Sequence, residues 1–162
     1  MDFSNKYSNT PARVIVRADA VFDATPEGLK GKRVGVQRTT VHDRYASASL
    51  KGAEVVRYSK QDEVFVDLVS GRLDATLVDT VAGDQGFLKT PKDMGFAFKG
   101  RVYDDPAFFG VGAGIAVGQG DKALQDALNA ALAAMRADGS YKKINDKYFD
   151  FDVYGRDTPA KM

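Results

Sequence analysis

The sequence has no cysteine and a single histidine, His42, among its 162 residues. Without cysteine, the chain has no disulfide, thiol nucleophile, iron–sulfur cluster or zinc-finger spacing, and we expect neither a metal nor a cofactor. Positive and negative side chains nearly cancel, with 23 Lys and Arg against 22 Asp and Glu. The formal net charge of +1 leaves no broad positive surface for nucleic acid or an anionic membrane.

Long apolar runs are also missing. No stretch approaches the roughly 18 consecutive apolar residues of a membrane-spanning helix. No segment has the charged start and apolar stretch of an export signal, so we expect none in this chain. What remains, 44% hydrophobic and 28% charged residues, is typical of a folded globular domain.

Short β-branched runs alternate with helical patterns along the chain. Strands joined by helical crossovers lie parallel, so this alternation predicts an α/β fold with a mostly parallel sheet. The predicted strands cover residues 12–17, 33–37, 54–58, 73–78, 96–98 and 115–117. The predicted helices run from about 40 to 50, 62 to 70, 80 to 88 and 121 to 139, and again from 140.

The first candidate site is the segment from Gln37 to His42, where a predicted strand runs into a helix start. Ligands of open α/β sheets bind at the carboxyl ends of the strands, where helix N-termini converge. Free backbone N–H groups there, with the hydroxyls of Thr39 and Thr40, could hold a carboxylate or a phosphate. The alternative is helix capping alone, because Thr40 and Asp43 have the spacing of a capping box.

The second candidate is Asp79, which follows the apolar strand 73–78 and precedes a helix. Its carboxylate is placed to receive an ammonium group, and it is equally well placed to cap that helix. Together the two positions predict a site for a zwitterion, with N–H donors for its carboxylate and Asp79 for its amine. No acid and base pair stands out beyond Asp79 and His42, so we do not expect an enzyme.

Several segments resemble one family of transport proteins. They read LKGKRVGV at 29–36, GRLDA at 71–75, GFL at 86–88, ADGSY at 137–141 and KYFDFDVYG at 147–155. In this order, over nearly the whole chain, they are similar to the extracellular solute-binding proteins of polar amino-acid ABC importers, above all the lysine/arginine/ornithine- and histidine-binding type. The resemblance implies a type II periplasmic-binding-protein fold, in which two α/β lobes close over an amino acid.

The resemblance also implies how the chain is divided. Residues 1–18 correspond to the first hinge-strand region and residues 19–112 to one complete Rossmann-like second lobe. Residues 113–162 correspond to the returning hinge strand and to C-terminal helices that belong to the first lobe. In such proteins a further part of the first lobe precedes the equivalent of residue 2, and this chain begins without it. We therefore expect a truncated form with half the ligand cleft.

The resemblance places ligand contacts at the two candidate positions. In the family, residues equivalent to Thr39, Thr40 and Val41 bind the ligand carboxylate, and the equivalent of Asp79 binds the ammonium group. Gln37 and His42 complete the candidate ligand-binding set.

The implied function is that of a periplasmic binding component that recognises an amino acid of the arginine, lysine, ornithine or histidine class. It would deliver this amino acid to an ABC permease. With half the cleft, we expect weak binding or none by this chain alone. The alternative is a lobe or gene remnant that oligomerises in a structural role without binding solute.

The predicted C-terminal helices are amphipathic. Their apolar residues fall on one side of each helix: Leu124, Leu128, Leu132, Met135, Ile144 and Tyr148. Because each such side chain contributes about 1.5–3 kcal/mol when buried, an unpartnered stripe favours association with another chain. We therefore expect a homodimer formed through the C-terminal helices.

Overall fold

A computed structural model describes residues 1–91 and 95–155, and the chain divides into two compact units. Unit 1 combines Met1–Thr10 with the chain from Gly110 onward, and unit 2 is Pro11–Phe109. Among the described residues, no helix has the length and apolar character needed to cross a bilayer.

The described residues form seven strands and six α-helices. The strands are β1 (Asp2–Ser8), β2 (Ala12–Arg17), β3 (Arg33–Gln37), β4 (Glu54–Tyr58), β5 (Ala75–Asp79), β6 (Phe96–Tyr103) and β7 (Ala113–Val117). The helices are α1 (Val41–Ser49), α2 (Gln61–Val69), α3 (Thr80–Gly83), α4 (Pro106–Phe109), α5 (Lys122–Ala137) and α6 (Ser140–Tyr148). A π-helix, Asp84–Leu88, follows α3 directly.

Unit 2 is built on a five-stranded sheet in the order β4-β3-β5-β2-β6. The parallel pairings expected from the strand and helix alternation are present between β3 and its two neighbours, β4 and β5. β2 adds antiparallel pairings with β5 and β6. The reason lies in the connections: α1 and α2 serve as crossovers between the parallel strands, whereas residues 18–32, between β2 and β3, form turns instead of a helix.

Two apolar cores lie on opposite faces of this sheet, because successive side chains of a strand alternate between faces. One core joins sheet residues to α1 and contains Val14, Val16, Val34, Val36, Leu77, Tyr45 and Ala46. The other joins sheet residues to α2 and the π-helix and contains Ile15, Val78, Val64, Phe65, Leu68 and Phe87. Unit 2 therefore has the three-layer α/β/α arrangement expected of a complete lobe.

Gly35 permits the close packing of the second core against β3. A Cβ atom at this position would lie 2.4 Å from Cδ1 of Leu73 and 2.7 Å from Cγ1 of Val64. The Gly35 carbonyl also accepts a buried hydrogen bond from the Thr76 hydroxyl of β5, at 2.8 Å. These contacts hold together β3 and β5, the two strands that end at the predicted site.

Unit 1 consists of a two-stranded antiparallel sheet, β1 with β7, and the helices α5 and α6. The predicted cap of the long helix is confirmed, since the Asp121 carboxylate accepts a hydrogen bond from the Leu124 N–H at 3.1 Å. Gly139, with φ of +79°, separates α5 from α6. β1 was not among the predicted strands.

The division into hinge and lobe residues, 1–18, 19–112 and 113–162, stays a prediction beside these two compact units. The strand at residues 12–17, grouped with the hinge by resemblance, forms β2 inside the sheet of unit 2. The chain passes between the units at Thr10 to Pro11 and again at Phe109 to Gly110. Residues 156–162 of the predicted C-terminal range lie outside the described residues.

Candidate functional site

The candidate residues collect at one edge of unit 2, where β3 ends at Gln37 and β5 ends at Asp79. These strands are neighbours and parallel, with Val34 opposite Ala75. Continued to the strand ends, this register brings Gln37 opposite Val78, the residue before Asp79. The start of α1 and the Asp79 carboxylate are therefore brought to the same edge, as the sequence predicts.

The turn into α1 is held by a dense set of local hydrogen bonds. Thr40 is the N-cap: its hydroxyl accepts from the Asp43 N–H at 3.3 Å and donates to the Gln37 carbonyl at 2.7 Å. Thr39 has φ of +61°, the one positive φ among the described residues other than glycine. Its hydroxyl donates to the Arg38 carbonyl at 2.6 Å. Both threonine hydroxyl protons are thus engaged with the backbone of the turn.

Asp43 fixes the turn from the helix side. Its carboxylate accepts from the Thr39 N–H at 3.2 Å and from Nε of Arg57 in β4 at 2.8 Å. The first N–H groups of a helix have no acceptor within the helix. Here the Thr40 hydroxyl accepts a hydrogen bond from the Asp43 N–H, and the N–H groups of Val41 and His42 stay available to a ligand. The helix dipole adds partial positive charge at the same point.

Gln37 points toward the neighbouring strand. Its side-chain Nε2 donates to the Ser59 carbonyl, just beyond β4, at 3.4 Å. Gln37 therefore borders the turn of α1 and links it to the end of β4.

Asp79 caps α3 while remaining half-buried. Its Oδ1 accepts a hydrogen bond from the Ala82 N–H at 3.0 Å. The two functions considered for Asp79, capping and ammonium binding, are compatible because a carboxylate offers several lone pairs. The structure establishes the cap.

His42 is enclosed beside an aromatic cluster that the sequence analysis did not identify. Its ring lies 5.8 Å from that of Phe109 in α4, and Phe109 in turn packs against Tyr45 at 5.2 Å. Burial lowers the pKa of His42 below its usual 6.5, and the nearby negative charge of Asp79 partly opposes this shift. At neutral pH the imidazole of His42 is thus uncharged. The adjacent residues Phe108 and Phe109 were the sequence feature from which this aromatic cluster could have been predicted.

The depressed pKa of His42 predicts a loss of stability on mild acidification. The unfolded chain binds a proton near pH 6.5, whereas the folded chain binds it at lower pH, so unfolding is favoured progressively as the pH falls through 6.5 toward the folded value. Urea unfolding between pH 7.5 and about 5 measures this effect. The substitution His42→Gln should flatten the curve there, and an unchanged slope would contradict the assignment.

Protonation of Asp74 also affects stability, but at lower pH than protonation of His42, so the two contributions can be measured separately. Asp74 has its pKa lowered below 3.8, chiefly by the hydrogen bond from the Arg33 side chain. Its contribution to stability is lost only as the pH falls below about 4.

Among the described residues, no group of three or more His, Asp or Glu side chains is placed to hold a metal ion.

Comparison with known proteins identifies related chains. Residues 1–151 match the family described as bacterial extracellular solute-binding proteins, family 3. The L-arginine-binding protein of Pseudomonas aeruginosa is 52% identical over 157 residues, which are 96% of this chain and 61% of that protein. The histidine-binding periplasmic protein of Escherichia coli K12 is 43% identical over 155 residues, 94% of this chain and 60% of that protein.

A solved structure agrees with these matches. A periplasmic binding protein of Salmonella typhimurium, described for its high arginine specificity, superposes with a TM-score of 0.68 at 31% identity. The superposition covers 91% of this chain and 64% of that one. The fold is therefore that of the type II periplasmic binding proteins, and the chain spans about three fifths of the length of the relatives it matches.

Proposed function

Because the chain belongs to the bacterial extracellular solute-binding proteins of family 3, we propose that unit 2 carries half of an amino-acid-binding site. The observation that carries the proposal is the convergence of Asp79 and the α1 N-terminus at the carboxyl ends of two adjacent parallel strands. A zwitterionic amino acid presents a carboxylate and an ammonium group, which match these two features. The proposed activity is binding, without catalysis.

In this proposal the N–H groups of Val41 and His42 hold the ligand carboxylate. Thr39 and Thr40 contribute mainly by shaping the turn, because both hydroxyl protons already donate to backbone carbonyls. Asp79 receives the ammonium group, and Gln37 borders the pocket beside β4. His42, uncharged at neutral pH, does not compete with that ammonium group for Asp79.

We propose a ligand of the arginine, lysine, ornithine or histidine class. Support comes from the relatives, which are an L-arginine-binding protein and a histidine-binding periplasmic protein. By the same reasoning, the place of action is the periplasm and the receiving partner is an ABC permease. With one half of a cleft, we expect affinity in the millimolar range, about 4 kcal/mol of binding free energy.

Isothermal calorimetry with three related ligands tests the proposal. L-Arginine should give weak saturable heat. Agmatine, which lacks the carboxylate, and N-acetyl-arginine, whose amine is blocked, should give none in the same range. Lysine, ornithine and histidine then rank the side-chain preference. The absence of heat with all four amino acids at their highest usable concentration would reject binding by this chain alone.

A second candidate function, association without solute, is favoured by the surface of unit 1. No residue of α5 is buried, and Leu124 and Ile144 are 47% and 52% exposed. We propose that the chain by itself forms a homodimer through α5 and α6. In the purely structural alternative, this assembly is the function and is indifferent to amino acids. Light scattering with and without L-arginine separates the two roles.

A further inference from the structure

Arg57 of β4 contacts the first two turns of α1. Side chains alternate along β4, so Val56 packs on the core beside α2, whereas Val55 packs on the core beside α1. Arg57 lies on the same face as Val55. Its guanidinium donates from Nε to the Asp43 carboxylate at 2.8 Å and from Nη2 to the Ser47 hydroxyl at 2.7 Å. One side chain of the sheet therefore holds two residues of α1 that lie one turn apart.

Asp43 connects Arg57 to the turn that precedes the helix. The Asp43 side chain is 16% exposed, and its second carboxylate oxygen accepts a hydrogen bond from the Thr39 N–H at 3.2 Å. The positive φ of Thr39 is costly for a residue with a side chain, and such a conformation persists only where the surrounding structure enforces it. By orienting the Asp43 carboxylate, Arg57 supports this turn.

The charge of Asp43 creates a conflict at the proposed site. Asp43 lies in the first turn of α1, the same turn as the N–H groups of Val41 and His42. A negative side chain at this position stabilises the helix through its dipole, but it also repels a ligand carboxylate at the same helix end. Arg57 places a positive charge in direct contact with Asp43 and so offsets this repulsion.

The stability of unit 2 does not account for this ion pair. The Arg57 side chain is 47% exposed, and ion pairs at such exposure contribute little to the free energy of folding. Unit 2 is already stabilised by an apolar core on each face of its sheet. The position of the pair, at the helix end that faces the proposed ligand, indicates a role in binding.

We infer that Arg57 is a positioning residue of the amino-acid-binding site, an inference that rests on the function proposed above. Arg57 acts through Asp43, without contact to the ligand. It keeps the Thr39 turn in place, and it offsets the negative charge beside the ligand carboxylate.

NMR titration with L-arginine tests this inference on the unchanged chain and on variants at the ion pair. Arg57→Gln should weaken binding about five- to tenfold at low salt, the effect of one unpaired charge near the surface. At about 0.5 M salt the difference should fall below about twofold, because salt screens exposed charges. Arg57→Lys keeps the charge, and Arg57→Gln combined with Asp43→Asn removes both charges. Both proteins should therefore bind within about twofold of the unchanged chain.

Arg72→Gln is the matched control for Arg57→Gln. Arg72 also forms an exposed ion pair, with Asp67 of α2 at 2.7 Å, but it lies before β5, at the opposite end of that strand from Asp79. Its loss should leave arginine binding unchanged. A merely structural role of Arg57 predicts a loss of binding that is independent of salt and is not recovered in the double variant. Either result would overturn the inference.

A measurement without ligand separates this inference from the proposed function. Exchange of the Thr39 amide with solvent should be about tenfold faster in Arg57→Gln than in the unchanged chain, and Arg57→Lys should restore the slower rate. An unchanged rate in Arg57→Gln would overturn the inference even where the chain binds arginine. Faster Thr39 exchange in a chain whose Val41 and His42 amides do not respond to arginine would reject the proposed function and leave the support of the turn by Arg57 standing.

Discussion

Replacing Asp79 by Asn weakens L-arginine binding by about 10- to 150-fold, which takes a millimolar affinity beyond detection. The estimate follows from the roughly 1.5–3 kcal/mol that a hydrogen bond to a charged group contributes. Asn is chosen because it caps helices about as well as Asp, and Asp79 caps α3 through the Ala82 N–H. The substitution therefore removes the charge while preserving the cap, so the melting temperature should stay the same.

The control for this substitution is Glu54→Gln. Glu54 is an exposed acid that begins β4 and pairs with the first residue of β3, so it lies at the opposite end of these strands from Gln37. It carries the same formal charge, so its loss reports any general effect of net charge on binding of a cationic amino acid. Calorimetric titration of both variants decides the matter. Unchanged arginine binding in Asp79→Asn would show that the ammonium group is held elsewhere.

Amide hydrogen exchange in α5 and α6 should depend on protein concentration, whereas exchange in the sheet of unit 2 should not. At low concentration the chain is monomeric, the apolar side chains of unit 1 are uncovered, and these helices should exchange at least about 100-fold faster than β3 or β5. Raising the concentration populates the proposed homodimer and slows exchange in the two helices alone, because binding stabilises the bound state by mass action.

The same experiment contains its control, since β3 and β5 lie in the three-layer unit with two complete cores. Their protection reports the global stability of unit 2 at every concentration. A monomer by light scattering whose α5 and α6 are as protected as β3 at the lowest concentration would contradict self-association through these helices.

Much of unit 2 could be predicted from the sequence because its signals are local. Strands β2, β3 and β4 begin and end where predicted, since short β-branched runs are bounded by Pro11, Gly31 and Gly52. The predicted Thr40 cap is confirmed by the hydrogen bond from the Asp43 N–H. It was predictable because a hydroxyl three residues before an acid is a local sequence feature.

The differences arise where long-range contacts decide the structure. β1 reads DFSNKYS, a polar segment without a strand signal, and it is a strand because it pairs with β7, more than a hundred residues away. β6 continues from the predicted 96–98 to Tyr103 because it pairs along the whole of β2. The π-helical geometry of Asp84–Leu88 also had no sequence signal.

For the site, the sequence predicts position better than atomic detail. The rule that ligands bind at carboxyl ends of strands brings Gln37 and Asp79 to one edge, and the structure places them there. The direction of the threonine hydroxyls and the enclosure of His42 by Phe109 depend on the packed turn and on α4. Ligand contact by these residues remains a prediction.

The most direct test is a titration of the ¹⁵N-labelled chain with L-arginine, followed by two-dimensional NMR. If unit 2 holds the amino acid as proposed, the largest and saturable shifts are those of the Val41 and His42 amides and of the residues around Asp79, with agmatine producing none at Val41. Shifts that cluster in α5 and α6, or none at the α1 N-terminus at saturating arginine, would contradict a half-site at the ends of β3 and β5.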